Sequence, residues 1–231
     1  HLSDILHIHE PSANQSFIVN KSLLTRKLKF LLDRDTPFSY PTFVHLPDRG
    51  VPLRVCGIPR FLPPNAVLTF LPKLAEIPSS IYEVLQIMGR LTQPKESSSP
   101  GESPTSIKLP RNLPSTVCIP LAAILLDYPV AYVPSSENQT TFLSGVPLVL
   151  YRCCIIFPAQ RPEGGVNRGK EHTLFQFSNP ALLADDSAGA MSVERTLDHL
   201  KPTFEPRILH SFPGSTFRVD HERIALDRVA L

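Results

Sequence analysis

Apolar positions are densest between residues 113 and 157, and their spacing changes partway along that stretch. Leu121, Ile124 and Leu125 recur three and four apart, which predicts a helix over 119–127. Pro120 suits its first turn, where an N–H is unpaired anyway. Pro129 disfavours helical geometry in the residue before it, so the helix ends at Asp127 and Tyr128. Val130 and Tyr132 then alternate with Ala131 and Val133 as a short strand, closed by Pro134 and a polar loop over 135–140. Residues 146–157 are β-branched and aromatic, with Arg152 the one charge, and read as a central strand covered on both faces. After a loop over 158–170, Leu174 and Gln176 alternate with Phe175 and Phe177, as on a half-exposed strand. Three successive strands with such loops predict an antiparallel meander.

Before this block the period switches repeatedly. Residues 5–10 and 16–19 read as short strands around a turn at 11–15. Ser22 is placed to cap a helix reaching Leu32, with Leu24, Leu28, Leu31 and Leu32 inward and Lys21, Arg26, Lys27 and Lys29 on a solvated face. Residues 42–46 predict a strand, returned by 51–58 through the turn Pro47, Asp48, Arg49, Gly50. Residues 61–72 are apolar but broken by Pro63, Pro64 and Pro72, and predict packed irregular structure. Ser80 and Glu83 form a capping box for a helix over 81–91, with Ile81, Leu85 and Met88 buried. Residues 93–110 are Pro, Ser, Glu and Lys with almost nothing apolar, and read as a disordered insertion whose serines are open to phosphorylation.

Beyond the central block, Asn179 and Pro180 open a turn or short helix. A helix over 191–200, capped by Ser192 with Leu197 and Leu200 inward, is expected to stop before Pro202. Residues 216–219 and 224–231 alternate like paired strands around a turn at 220–223, with a terminal helix competing for 224–231.

The segments Ile-Leu-Leu-Asp-Tyr-Pro-Val-Ala-Tyr-Val at 124–133, Leu-Ser-Gly-Val-Pro-Leu-Val-Leu-Tyr-Arg at 143–152 and Thr-Leu-Phe-Gln-Phe-Ser-Asn-Pro-Ala-Leu-Leu at 173–183 carry a resemblance. With 6–19 and 222–231, they resemble, in order along most of the chain, the eukaryotic family known as the chromosome 1 open reading frame 74 family. Members of that family begin with a further strand and helix. The resemblance therefore implies that this chain, which opens at His1, lacks them. It implies no activity, because the family has no established one.

Composition narrows the classes of function. A chain of 231 residues holds one large domain or two small ones. At 42% apolar it can bury a sizeable core. A net charge of +2 gives no electrostatic case for nucleic acid. No apolar run approaches the length of a membrane span, so no membrane partner is expected. Twenty-five prolines against ten glycines argue for many short elements. Cys56, Cys118, Cys153 and Cys154 read as reduced, buried hydrophobes of a cytoplasmic or nuclear protein. Asn14, Asn20 and Asn138 each begin an Asn-x-Ser/Thr triplet, which matters only in a secreted chain.

Chemistry-bearing patterns are few. His7 and His9 are two apart on a predicted strand, so both imidazoles face one way and are the best metal candidates. A hydrolytic metal needs further ligands, for which His45 and His172 are available. Gly164 to Lys170 fits the spacing of a phosphate loop, but prolines precede it, a strand pattern follows, and Glu171 stands where Ser or Thr should. As a thiol nucleophile Cys153 or Cys154 would need exposure and a neighbouring base, and their apolar neighbours argue for inert burial instead. Asp185 with Asp186, and Asp220 with His221 and Glu222, fit turns.

The expectation is thus a single mixed α/β domain over 1–231. Strands and helices alternate in its N-terminal half, an antiparallel meander forms its C-terminal half, and helices pack on the sheet. The expected function is non-catalytic binding of an unidentified protein, without cofactor. A metal-dependent hydrolase using His7 and His9 is the alternative.

Overall fold

Strand β1 (Ile5–Glu10) turns back through 11–14 into β2 (Gln15–Asn20) with full antiparallel register, His7 opposite Ile18 and His9 opposite Ser16. The computed structural model describes residues 4–33, 41–46, 73–74, 77–92, 105–138, 143, 146–158, 169–187 and 189–225. The expected strand over 51–58, its turn at 47–50, the irregular 61–72 segment and Cys56 lie outside them.

The helix α1 (Lys21–Leu32) follows β2 without a spacer. Its cap is therefore the last strand residue, Asn20, whose Oδ1 accepts from the Leu23 N–H at 2.8 Å. Ser22, expected as the cap, instead donates its hydroxyl to Asp4. Leu24, Leu28 and Leu31 are buried as the spacing predicts. In α2 (Ser79–Thr92), the Ile81 and Tyr82 N–H groups both reach the Pro78 carbonyl. Ser80 is therefore already inside the helix rather than its cap. Ile81, Val84, Leu85 and Met88 form its buried stripe.

α3 (Ser115–Leu125) begins four residues earlier than expected, with Pro114 at its N-cap and Pro120 in its interior. An interior proline leaves the carbonyl four residues back without its helical donor. Burial of Val117, Leu121 and Ile124 offsets that loss. Past its C-cap Leu126 the chain turns through Asp127, at φ 59. Tyr128 N–H reaches the Ala123 carbonyl, and Asp127 N–H reaches that of Ile124, a Schellman closure with Asp in the place usual for Gly. Lys27 of α1 secures this end, its ammonium donating to both the Ile124 carbonyl and the Asp127 carboxylate. Lys27 thus leaves the solvated face on which spacing put it.

Among the described residues, β6 (Val130–Pro134) belongs to a sheet of the N-terminal unit. It pairs in parallel with β3 (Thr42–Leu46), whose other neighbour is β4 (Lys73–Leu74). α3 supplies the crossover immediately before β6. The end of the Pro/Ser-rich stretch is also ordered: β5 (Ser106–Lys108) pairs in parallel with β1 and buries Ile107. Two apolar positions, Ile107 and Leu109, sufficed once a strand edge was there to receive them. Leu6 and Ile8, Phe43, Ala131 and Val133, and the inner faces of α1, α2 and α3 share one core.

The antiparallel C-terminal sheet is present, in the order β8-β7-β9. β7 (Pro147–Ile156) is central, flanked by β8 (Glu171–Pro180) and β9 (Thr216–Ala225). β9 is one unbroken strand where a turn was expected at 220–223. α4 (Ala181–Asp185) and α5 (Val193–Ser211) connect β8 to β9. Ser192 caps α5 as expected, accepting from the Arg195 N–H. The helix then runs through Pro202 and Pro206 rather than stopping. Both prolines are exposed, so the carbonyls they leave without a donor can turn to water.

The chain forms a mixed α/β fold of two compact units, His1–Thr140 and Thr141–Leu231. No helix among the described residues is long and apolar enough to cross a membrane.

Candidate functional site

Strand alternation places Leu6, Ile8 and Glu10 inward on β1, with Ile5, His7 and His9 on the outer face. The two histidine rings lie 6.4 Å apart, 20° from parallel, and both are half-buried. Parallel pairing puts Ser106 beside His7, and its Oγ lies 3.1 Å from His7 Nδ1. Lys108 lies beside His9. On the other side Ile18 faces His7, and its side chain is 68% exposed. Sequence reasoning found the histidines but missed Ile18, because 16–19 reads as an ordinary strand until its place at the sheet's end is known.

His45 sits on β3 and His172 on β8. Among the described residues neither joins His7 and His9 in a group of three metal-ligating side chains.

Glu10 ends β1 buried, its two carboxylate oxygens accepting the Ser12 and Ala13 N–H groups at 2.6 and 2.7 Å. Burial pushes its pKa up, but these bonds outweigh that and hold it below the usual carboxylate value. The same turn is tied to the start of α3, since Leu113 N–H donates to Ser12 Oγ at 2.7 Å.

The thiols of the described cysteines are suppressed. Burial, then the Glu10 carboxylate, push Cys118 up to about 11. Burial, then Cys154, push Cys153 up to about 12, and burial also raises Cys154. Cys153 and Cys154 are buried as expected, whereas Cys118 is only partly so. The phosphate-loop match meets the expected obstacle, because strand β8 and not a helix follows Lys170.

The C-terminal sheet has two unlike faces. Val149, Tyr151, Cys153 and Ile155 are buried on one, where Phe204 of α5 packs against Phe175 and Phe217. Tyr151 Oη and Asn179 Oδ1 are buried here and make no hydrogen bond among the described residues. The other face carries Arg152, Arg218, Asp220 and Glu222, with Leu150 lining a shallow depression of about 160 Å³. Cys154, Glu171 and Asp220 bring their ligand atoms together on that face. Arg218 already occupies the acids, bidentate to Glu171 at 2.8 and 2.9 Å and bonded to Asp220 at 2.9 Å. A cation would have to displace that guanidinium, so the cluster is an ion-pair network. Its signal in sequence was the alternation of Phe217 and Val219 with Arg218 and Asp220, which the turn reading broke in two.

No protein family, curated protein or solved structure matches the chain.

Proposed function

We propose that the chain is a non-catalytic protein-binding domain that receives an extended segment of a partner protein along β2. The observation that carries this is the edge itself. β2 ends its sheet among the described residues, bears no charge from Gln15 to Asn20, and presents Ile18 outward beside Ile5, which is 42% exposed. An edge strand offers main-chain donors and acceptors to an added strand, and natural edges usually discourage this with charge or proline. β2 carries neither.

The chemistry elsewhere agrees with a binding role: the thiols are held protonated, and Arg218 neutralises the acidic cluster. The family resemblance is part of the same reading and lends no activity to it. Free Cys118, Cys153 and Cys154 suit the cytoplasm or nucleus, which belong to the proposal. The metal-dependent hydrolase reading requires a third protein ligand, and the described residues bring none to His7 and His9.

Panning of a displayed peptide library on the wild-type chain and on Ile18→Lys tests the reading, with circular dichroism confirming that the variant folds. Extended peptides enriched on the wild type and lost on Ile18→Lys support it. No enrichment, or enrichment indifferent to Ile18, sinks it.

A further inference from the structure

Apart from strand docking, we propose that His7 and His9 form a two-imidazole site for a divalent first-row transition metal. Three features of the outer face of β1 carry it. The strand period puts both rings on one side, 6.4 Å apart and close to parallel, so a modest side-chain rotation converges one nitrogen from each on a shared ion. β1 is hydrogen-bonded on both edges, to β2 and β5, so the backbone that sets this spacing is fixed before any metal arrives. Ser106 stands 3.1 Å from His7 Nδ1. With Nδ1–H donating to that hydroxyl, the lone pair sits on Nε2, which is the role an outer partner plays for a metal-bound imidazole.

The donor set selects the metal. Two imidazoles favour copper(II), nickel(II) and zinc(II) over magnesium or calcium, with copper(II) held most tightly. Water completes the coordination, so the site is neither a closed structural centre nor a three-ligand catalytic one. Lys108, beside His9, opposes a cation, but its flexible stem lets the ammonium swing into water.

Isothermal titration of the full chain with zinc(II) and copper(II) chloride tests the proposal. One equivalent should bind to the wild type. His7→Ala with His9→Ala should weaken binding at least tenfold, and Ser106→Ala about ten- to a hundredfold. Variants at His1, His45 and His172 should bind as the wild type does. Electron paramagnetic resonance of the copper(II) form, which needs no variant, should show coupling to two imidazole nitrogens. Equal binding after loss of both histidines, transfer of the effect to His1, His45 or His172, or a copper spectrum without imidazole nitrogen would each overturn the site. A failed peptide screen at β2 leaves these readouts untouched.

Discussion

The two compact units solve the same problem differently. In His1–Thr140, three helices and the inner faces of short, partly parallel strands share one apolar core, and charge enters at a few fixed points such as Glu10 and Lys27. In Thr141–Leu231, a long antiparallel sheet is apolar under α5 and carries the Arg152, Arg218, Glu171, Asp220 and Glu222 ion pairs on the opposite face. Parallel pairing needs crossovers that cover the strands, whereas an antiparallel sheet tolerates water on one side. Charges in the first unit therefore hold the chain's turns and helix ends in place. Those on the open face of the second are mostly solvated and worth little each.

Five measurements test this contrast. Leu85→Ala, fully buried in the first unit, should cost about 2–5 kcal/mol in denaturant unfolding. Glu10→Gln should cost about 2 kcal/mol at neutral pH, because a buried carboxylate accepting two N–H bonds is replaced by a weaker acceptor. Glu10's folded pKa lies below the usual 4.5, so its contribution is present above that value and is lost as pH falls through the folded pKa. The wild type should lose stability in that acid window, and the Gln variant should be flatter there.

Lys27→Met should cost about 1 kcal/mol by freeing the Ile124 carbonyl and the Asp127 carboxylate, seen as a lowered unfolding midpoint. Tyr151→Phe removes a buried hydroxyl that lies near Thr196 and Asn179 without a well-formed hydrogen bond, and should leave stability unchanged or raise it by about 0.5 kcal/mol, read by thermal unfolding. A loss of 1 kcal/mol or more would show that this hydroxyl is partnered in solution. Smallest of all, a double-mutant cycle on Arg152 and Glu222, whose side chains are 41% and 57% exposed, should give a coupling below about 0.5 kcal/mol. A larger coupling would erase the distinction between the units.

Most elements were legible because their signals are local. The apolar spacing of α1 and α2, the alternation in β1 and the dense run of β7 each report a face without reference to partners. The Ser192 cap was legible for the same reason. The misreadings cluster where a local breaker was outvoted. Pro120, Pro202 and Pro206 sit inside helices because packing, or water around an exposed backbone, replaces the missing donor. Asp220 to Arg223 looks like a turn but lies in β9, with Asp220 and Glu222 aligned on an open face that composition alone does not reveal.

The candidate sites divide in the same way. That His7 and His9 share a side follows from a period of two, which sequence fixes for any strand. That Ser106 stands against His7, that Ile18 lies at a sheet edge, and that Arg218 reaches Glu171 follow from which strands pair. Which residues face in or out within each element was readable from their order along the chain, since that depends on bond geometry and the aversion of apolar groups to water. Which elements became neighbours emerged with the folded sheets, because strand pairing joins residues far apart in the chain and depends on every competing edge at once.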